Sequence, residues 1–131
     1  MEYLNVISAA IGAFAFSAVW YTAMSKQWIA ASGIAVDANG KPMGSGSLAP
    51  MVVGVIAMIL VAGMMRHVFE ISGIVTLGGG LLAGFGVGAF FITPWVTMNY
   101  AFGMRKSSLA VIDGINAIVG CSIMGLILSL F

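Results

Sequence analysis

Long apolar stretches separated by short polar clusters are the dominant pattern along this chain, and four of them are long enough to cross a bilayer. A hydrocarbon core about 30 Å thick calls for roughly 20 predominantly apolar residues at 1.5 Å rise each. The first stretch covers residues 4–24, uncharged, with Asn5 near its outer end. The second covers 48–69; its centre, Pro50 to Met65, is short alone and is extended by Leu48 and by Val68 and Phe69 beyond Arg66 and His67. The third covers 74–102, long enough to tilt or bend, with Pro94 inside it. The fourth covers 108–131 and is interrupted by one acid, Asp113. Backbone groups inside lipid must be satisfied within the protein, so such spans are helices or strands of a closed barrel. No ten-residue alternation of apolar and polar positions occurs, which excludes the barrel. The pattern predicts an all-α integral membrane protein, with four transmembrane helices in one compact antiparallel bundle and one domain over residues 1–131.

Composition sharpens this. Hydrophobic residues make up 61% of the chain and charged residues 7%, against about 25% charged in a soluble domain. The net charge of +1 carries no nucleic-acid footprint. Cys121 is the single cysteine, so no intramolecular disulfide is possible. The residues before the first span include Glu2 and no base, which reads as an uncleaved first helix rather than a secretory signal. Basic residues flanking spans set orientation. Lys26, Lys41, Arg105 and Lys106 follow the first and third spans, whereas the opposite side holds only Arg66. That bias places the loop 25–47 and the 103–107 turn in the cytoplasm and both termini outside.

The loop 25–47 is the one long connection. Lys26-Gln27-Trp28-Ile29 predicts an interfacial turn with Trp28 at headgroup depth. Asp37-Ala38-Asn39-Gly40-Lys41-Pro42 is a strong turn signal, and Gly44-Ser45-Gly46-Ser47 a flexible run into the second span. The loop reads as a solvated connector, with a substrate or partner loop as the alternative.

Small residues that let backbones approach closely drive helix association in lipid. Gly80, Gly84 and Gly88 repeat at four-residue spacing on one face of the third span. Ala9, Ala13 and Ser17 do so on the first, and Ala117, Cys121 and Gly125 on the fourth, on the face that carries Asp113. These rows are the expected seams, with the third span at or near the centre and the Met-rich second at the periphery. Small residues on more than one face of the third span leave a homo-oligomeric seam open.

Asp113 needs the most explanation, because an acid at mid-bilayer costs about 2.5–3.5 kcal/mol on insertion scales. With Ser107 or Ser108 capping the fourth helix, Asp113 lies roughly 8 Å along it, in the cytoplasmic half. Asn116 shares its face; Thr93, Thr97, Asn99 and Tyr100 approach from the third span, and Trp20, Tyr21 and Thr22 from the first. This polar and aromatic cluster is the candidate site. Asp113 either exchanges a proton or neutralises a cation there, or is a structural group satisfied by Asn99 or a threonine, or reaches towards Arg105 and Lys106. Thr93-Pro94-Trp95 predicts a kink just before Pro94. At the other end, Arg66 and Glu70 stand four apart and His67 lacks a second ligand for a metal, so no metal site is expected.

The chain resembles a bacterial family of small membrane proteins catalogued as domain of unknown function 1761. The resemblance lies in Leu4-Asn5 opening the first helix and Trp20-Tyr21 closing it, in Lys26-x-Trp28, and in Asn99-Tyr100-x-Phe102-x-x-Arg105 followed by Ser108-Leu109 and Asp113. It implies a four-helix protein of the bacterial inner membrane and supplies no reaction. No nucleophile–base set, convergent carboxylate pair, metal-ligand spacing or phosphate loop points to an enzyme, and no cofactor is implied, a bound lipid or pigment staying open. The function expected is a non-catalytic accessory or assembly subunit of a larger membrane complex, its partners being membrane lipids and either itself or that complex. The alternative is a small homo-oligomeric transporter or channel in which Asp113 couples protons or cations.

Overall fold

The computed structural model describes residues 2–44 and 46–131; Ser45, within the expected Gly-Ser run, lies outside them. The elements in order are α1 (Glu2–Ala23), α2 (Ser25–Ser32), α3 (Ala49–Ser72), α4 (Leu77–Gly86), a π-helical segment (Val87–Ile92), α5 (Thr93–Phe102) and α6 (Ser107–Leu128). Four helices are long and apolar enough to cross a membrane: Tyr3–Ala23, Ala49–Ser72, the composite Leu77–Phe102 and Ser107–Leu128. The chain is a multi-pass membrane protein of all-α fold.

The ends of the elements follow local chemistry. Gly73, at φ +68°, closes α3 in the left-handed region, and Ile74 N–H reaches back to Phe69 O at 3.0 Å, a Schellman-type stop that a glycine adopts without steric cost. Thr76 then caps α4, its hydroxyl accepting from Gly79 N–H at 3.0 Å. The third span therefore starts at Leu77, three residues later than the apolar pattern suggests. The fourth span is capped by neither serine: Lys106 occupies the cap position without a side-chain bond to the helix.

One expectation about packing is corrected. The centre of the bundle is α6, not the third span: 39% of its most apolar window is buried, against 11% for Leu77–Phe102. It is α6 that meets α1 on one side and α4, the π segment and α5 on the other. The second and third spans, although joined by a short turn, lean on α1 and α6 rather than on each other. The reason lies in side-chain size. The third span has its closely spaced glycines on the face towards α6, whereas α3 presents Met65 and Phe69 inward, which fill space and hold backbones apart. The core accordingly joins Ala9, Ala13, Ala62, Met65, Phe69, Cys121, Met124 and Leu128.

The α4–α6 seam is a contact of backbone on backbone. A Cβ on Gly80 would overlap Gly125 O and Ser129 Oγ, one on Gly84 would overlap Cys121 O, and one on Gly88 would fall 2.6 Å from Ala117 O. The two four-residue rows pair one to one in antiparallel order.

Proline accounts for the π segment. Pro94 has no N–H to donate, and its ring clashes with the carbonyl four residues back in a regular α-helix. The chain resolves this by widening the turns before it: Thr93 N–H and Thr93 Oγ1 both go to Gly88 O, five residues back, the latter at 2.7 Å. A π turn carries one extra residue and so rotates everything beyond it by roughly 100° relative to a straight helix. The discontinuity is thus a π bulge where the sequence suggested a simple kink.

The connection 25–47 also contains more structure than expected. Lys26 and Trp28 belong to the eight-residue helix α2, ended by Gly33 at φ +67°. Beyond it Val36 and Pro42 form an isolated bridge around the Asn39-Gly40 turn.

Candidate functional site

The expected polar cluster forms where α1, α5 and α6 converge, and its centre is Asp113. Tyr21 OH donates to Asp113 Oδ1 and Tyr100 OH to Oδ2, each at 2.5 Å. One carboxyl group therefore ties three helices, with each oxygen taken by a different one. One turn further along α6, Ser17 Oγ donates to Asn116 Oδ1 at 2.7 Å, and Trp20 Nε1 donates to Ile112 O at 3.0 Å. The register of α1 on α6 puts these contacts in line: Ser17, Trp20 and Tyr21 face Asn116, Ile112 and Asp113.

The third span contributes by a face set by its π bulge. Along a straight α-helix Asn99, about three turns beyond Gly88, would share the glycine face towards α6. The extra residue hands that position to Tyr100, while Asn99 turns outward and is exposed. Asp113 is therefore satisfied by two tyrosines and not by Asn99 or a threonine. Thr93 packs on Gly114, where a Cβ would approach Thr93 Cγ2 to 2.9 Å. Thr97 is exposed and returns its hydroxyl to Thr93 O at 2.7 Å. Of the eight residues expected in the cluster, the structure joins Asp113, Tyr21 and Tyr100 directly, sets Trp20 and Asn116 beside them, places Thr93 one layer away, and leaves Thr97 and Asn99 outside.

Arg105 and Lys106 do not reach Asp113. Arg105 Nη2 donates to Ser32 O at 2.7 Å and Lys106 Nζ to Ala30 O at 3.2 Å, so both cations serve the last carbonyls of α2. Such carbonyls lack intrahelical partners and carry the negative end of the helix dipole. In this way α2 is fastened over the polar cluster. Trp28 meets Tyr21 edge to face at 6.5 Å between ring centroids, and Ala31 joins Leu109 and Ile112 in a small second core. Sequence reasoning did not anticipate α2 as the cover. The signal was the spacing of Trp28 and Ala31 on one face of a short helix beginning directly after α1.

Chemically, the cluster is a closed set of hydrogen bonds with each Asp113 oxygen already engaged. Its nearest open depression is an apolar groove of about 540 Å³ on the far side of α5 and α6, lined by Thr97, Ala101, Arg105, Ala110, Gly114 and Ile118. Asp113 does not line it. Among the described residues, no three His, Cys, Asp or Glu side chains stand close enough to share a metal ion.

At the opposite end, Arg66 Nη2 lies 3.6 Å from Glu70 Oε1. Asn5 is 3% exposed, and its Oδ1 is unpaired among the described residues.

No curated protein and no solved structure matches the sequence. A family model described as a protein of unknown function, DUF1761, matches residues 4–129. That match takes in all four spans and the whole Asp113 cluster, and the chain belongs to this family.

Proposed function

We propose that this protein is a non-catalytic accessory or assembly subunit of a larger complex in the cytoplasmic membrane, with α2 and the loop after it inside and both termini outside. The observation that carries this reading is that both Asp113 oxygens are engaged within the protomer. A carboxyl group that couples transport exchanges its proton or cation with a pathway, whereas this one is held by Tyr21 and Tyr100 and roofed by α2. The outer surface suits association instead: Phe90, Phe91, Trp95 and Phe102 are all at least two-thirds exposed along one span, and large aromatic side chains dominate interface energetics.

Native mass spectrometry of the protein extracted gently from its own membranes tests this. The expected result is a defined stoichiometric assembly with a different polypeptide. A homo-oligomer that mediates proton or cation flux, lost in Asp113→Asn, would overturn the reading in favour of a small transporter.

A further inference from the structure

The α1–α3 pair carries two adjoining depressions along its length, the one at its end partly polar and the inner one apolar. α1 and α3 run antiparallel, with Gly63 opposite Val6 and Gly54 opposite Phe14. Without a side chain at 63 the helices leave a trough between them at that level. Its end portion, about 510 Å³, is lined by Tyr3, Val6, Gly63, Arg66, His67 and Glu70. Its inner portion, about 370 Å³, is lined by apolar residues, including Ala10, Phe14, Val55 and Met58. Ile59 lines both portions, so the two adjoin along α3.

Three features point to one kind of occupant. The first is length: from Arg66 to Val55 along α3 is about 16 Å, half of a hydrocarbon core of about 30 Å. Because the span Ala49–Ser72 is centred near Leu60, the groove runs from the Arg66 end of α3 past the middle of the span, along a path that one acyl chain can follow. The second is an unused donor. The Arg66 side chain is 22% exposed, its 3.6 Å approach to Glu70 lies beyond hydrogen-bond distance, and its Nε, though shielded, has no partner among the described residues. A guanidinium so placed matches a phosphate, which accepts from its fork. The third is Glu70, one turn on, whose side chain is 47% exposed and which lines the same end portion. It is placed to accept from an ammonium. The groove beside α5 and α6 offers no such mouth, since Arg105 there already donates to Ser32 O.

We propose that the α1–α3 groove binds one amine-headed phospholipid, of the phosphatidylethanolamine class. Its phosphate accepts from Arg66, its ammonium donates to Glu70, and one acyl chain lies over Gly63 as far as Val55.

The test is native mass spectrometry of the full chain after reconstitution in bilayers of equal phosphatidylethanolamine and phosphatidylglycerol. The expected result is one phosphatidylethanolamine retained per chain. Arg66→Gln lowers retention about tenfold, the factor that loss of one charge-assisted hydrogen bond brings. Gly63→Leu blocks the trough without touching a charge and lowers retention comparably; a Cβ at 63 meets only Val6 Cγ1, at 3.9 Å, and an unchanged unfolding transition of this variant confirms that it folds. Absence of retained lipid, preference for phosphatidylglycerol, or wild-type retention by either variant overturns the proposal.

Discussion

Gly84→Ala destabilises the bundle by roughly 3 kcal/mol, the upper part of the range for overpacking, whereas Gly86→Ala leaves stability unchanged or slightly raised. The two glycines lie two residues apart in α4 and differ only in what they face. A methyl on Gly84 would occupy the position of Cys121 O, with Cys121 C at 2.9 Å and Ser122 Cα at 3.1 Å. All three are backbone atoms, so no rotamer change relieves the overlap and α4 must lift away from α6. Separation at that point also loosens the pairs on either side, Gly80 with Gly125 and Gly88 with Ala117. Gly86 has nothing within 4 Å of an added Cβ, and alanine there gains the helix preference that glycine lacks, up to about 1 kcal/mol. Reversible unfolding in mixed micelles, read for both variants against wild type, measures the difference. Equal effects would mean that the α4–α6 seam does not hold the fold.

Asp113→Leu unfolds or severely destabilises the protein, by roughly 3 kcal/mol, while Asp113→Asn costs only about 1 kcal/mol. Leucine fits an apolar bundle by volume and is the better residue for lipid, so hydrophobicity alone predicts a gain. The loss comes from Tyr21 and Tyr100, whose hydroxyls both donate to Asp113 and would be left without an acceptor between helices. Stranding a buried donor costs about 1–3 kcal/mol; these two hydroxyls are part-buried, which puts each towards the lower end of that range, and two are stranded together. Asparagine keeps one oxygen acceptor and offers an N–H₂ to the second tyrosine, whose hydroxyl can accept as well as donate. Thermal unfolding of the purified variants, followed by circular dichroism, separates the two cases. A leucine variant as stable as wild type would remove Asp113 from the structural account.

Much of this architecture was legible in the sequence, because lipid imposes simple rules. Spans follow from apolar length. Seams follow from small residues four apart, which marks the rows Gly80-Gly84-Gly88 and Ala117-Cys121-Gly125, although which rows meet is seen only in the fold. Asp113 stands out because an acid among apolar residues needs a partner. Its partners were harder to assign, for a physical reason. Asn99 and Tyr100 are adjacent, and which one faces α6 depends on the helical register across Pro94. One extra residue in the π bulge exchanges their roles, and no composition rule counts that residue. The centre of the bundle was misjudged for a related reason. Glycine content marks where a helix can approach closely, not how many neighbours it has; the third span makes one very close contact, whereas α6 makes contacts on several sides. The short helix α2 was obscured because its eight residues carry polar groups outward and show only a narrow apolar face.

Asp113 acts as a tie between α1, α5 and α6, and a double-mutant cycle measures that tie directly. Unfolding free energies are compared for wild type, Tyr21→Phe, Asp113→Asn and the double variant, and again with Tyr100→Phe in place of Tyr21→Phe. The account predicts a favourable coupling of about 1 kcal/mol between Asp113 and each tyrosine, within the range measured for polar pairs between membrane helices. Coupling indistinguishable from zero at both tyrosines would contradict it.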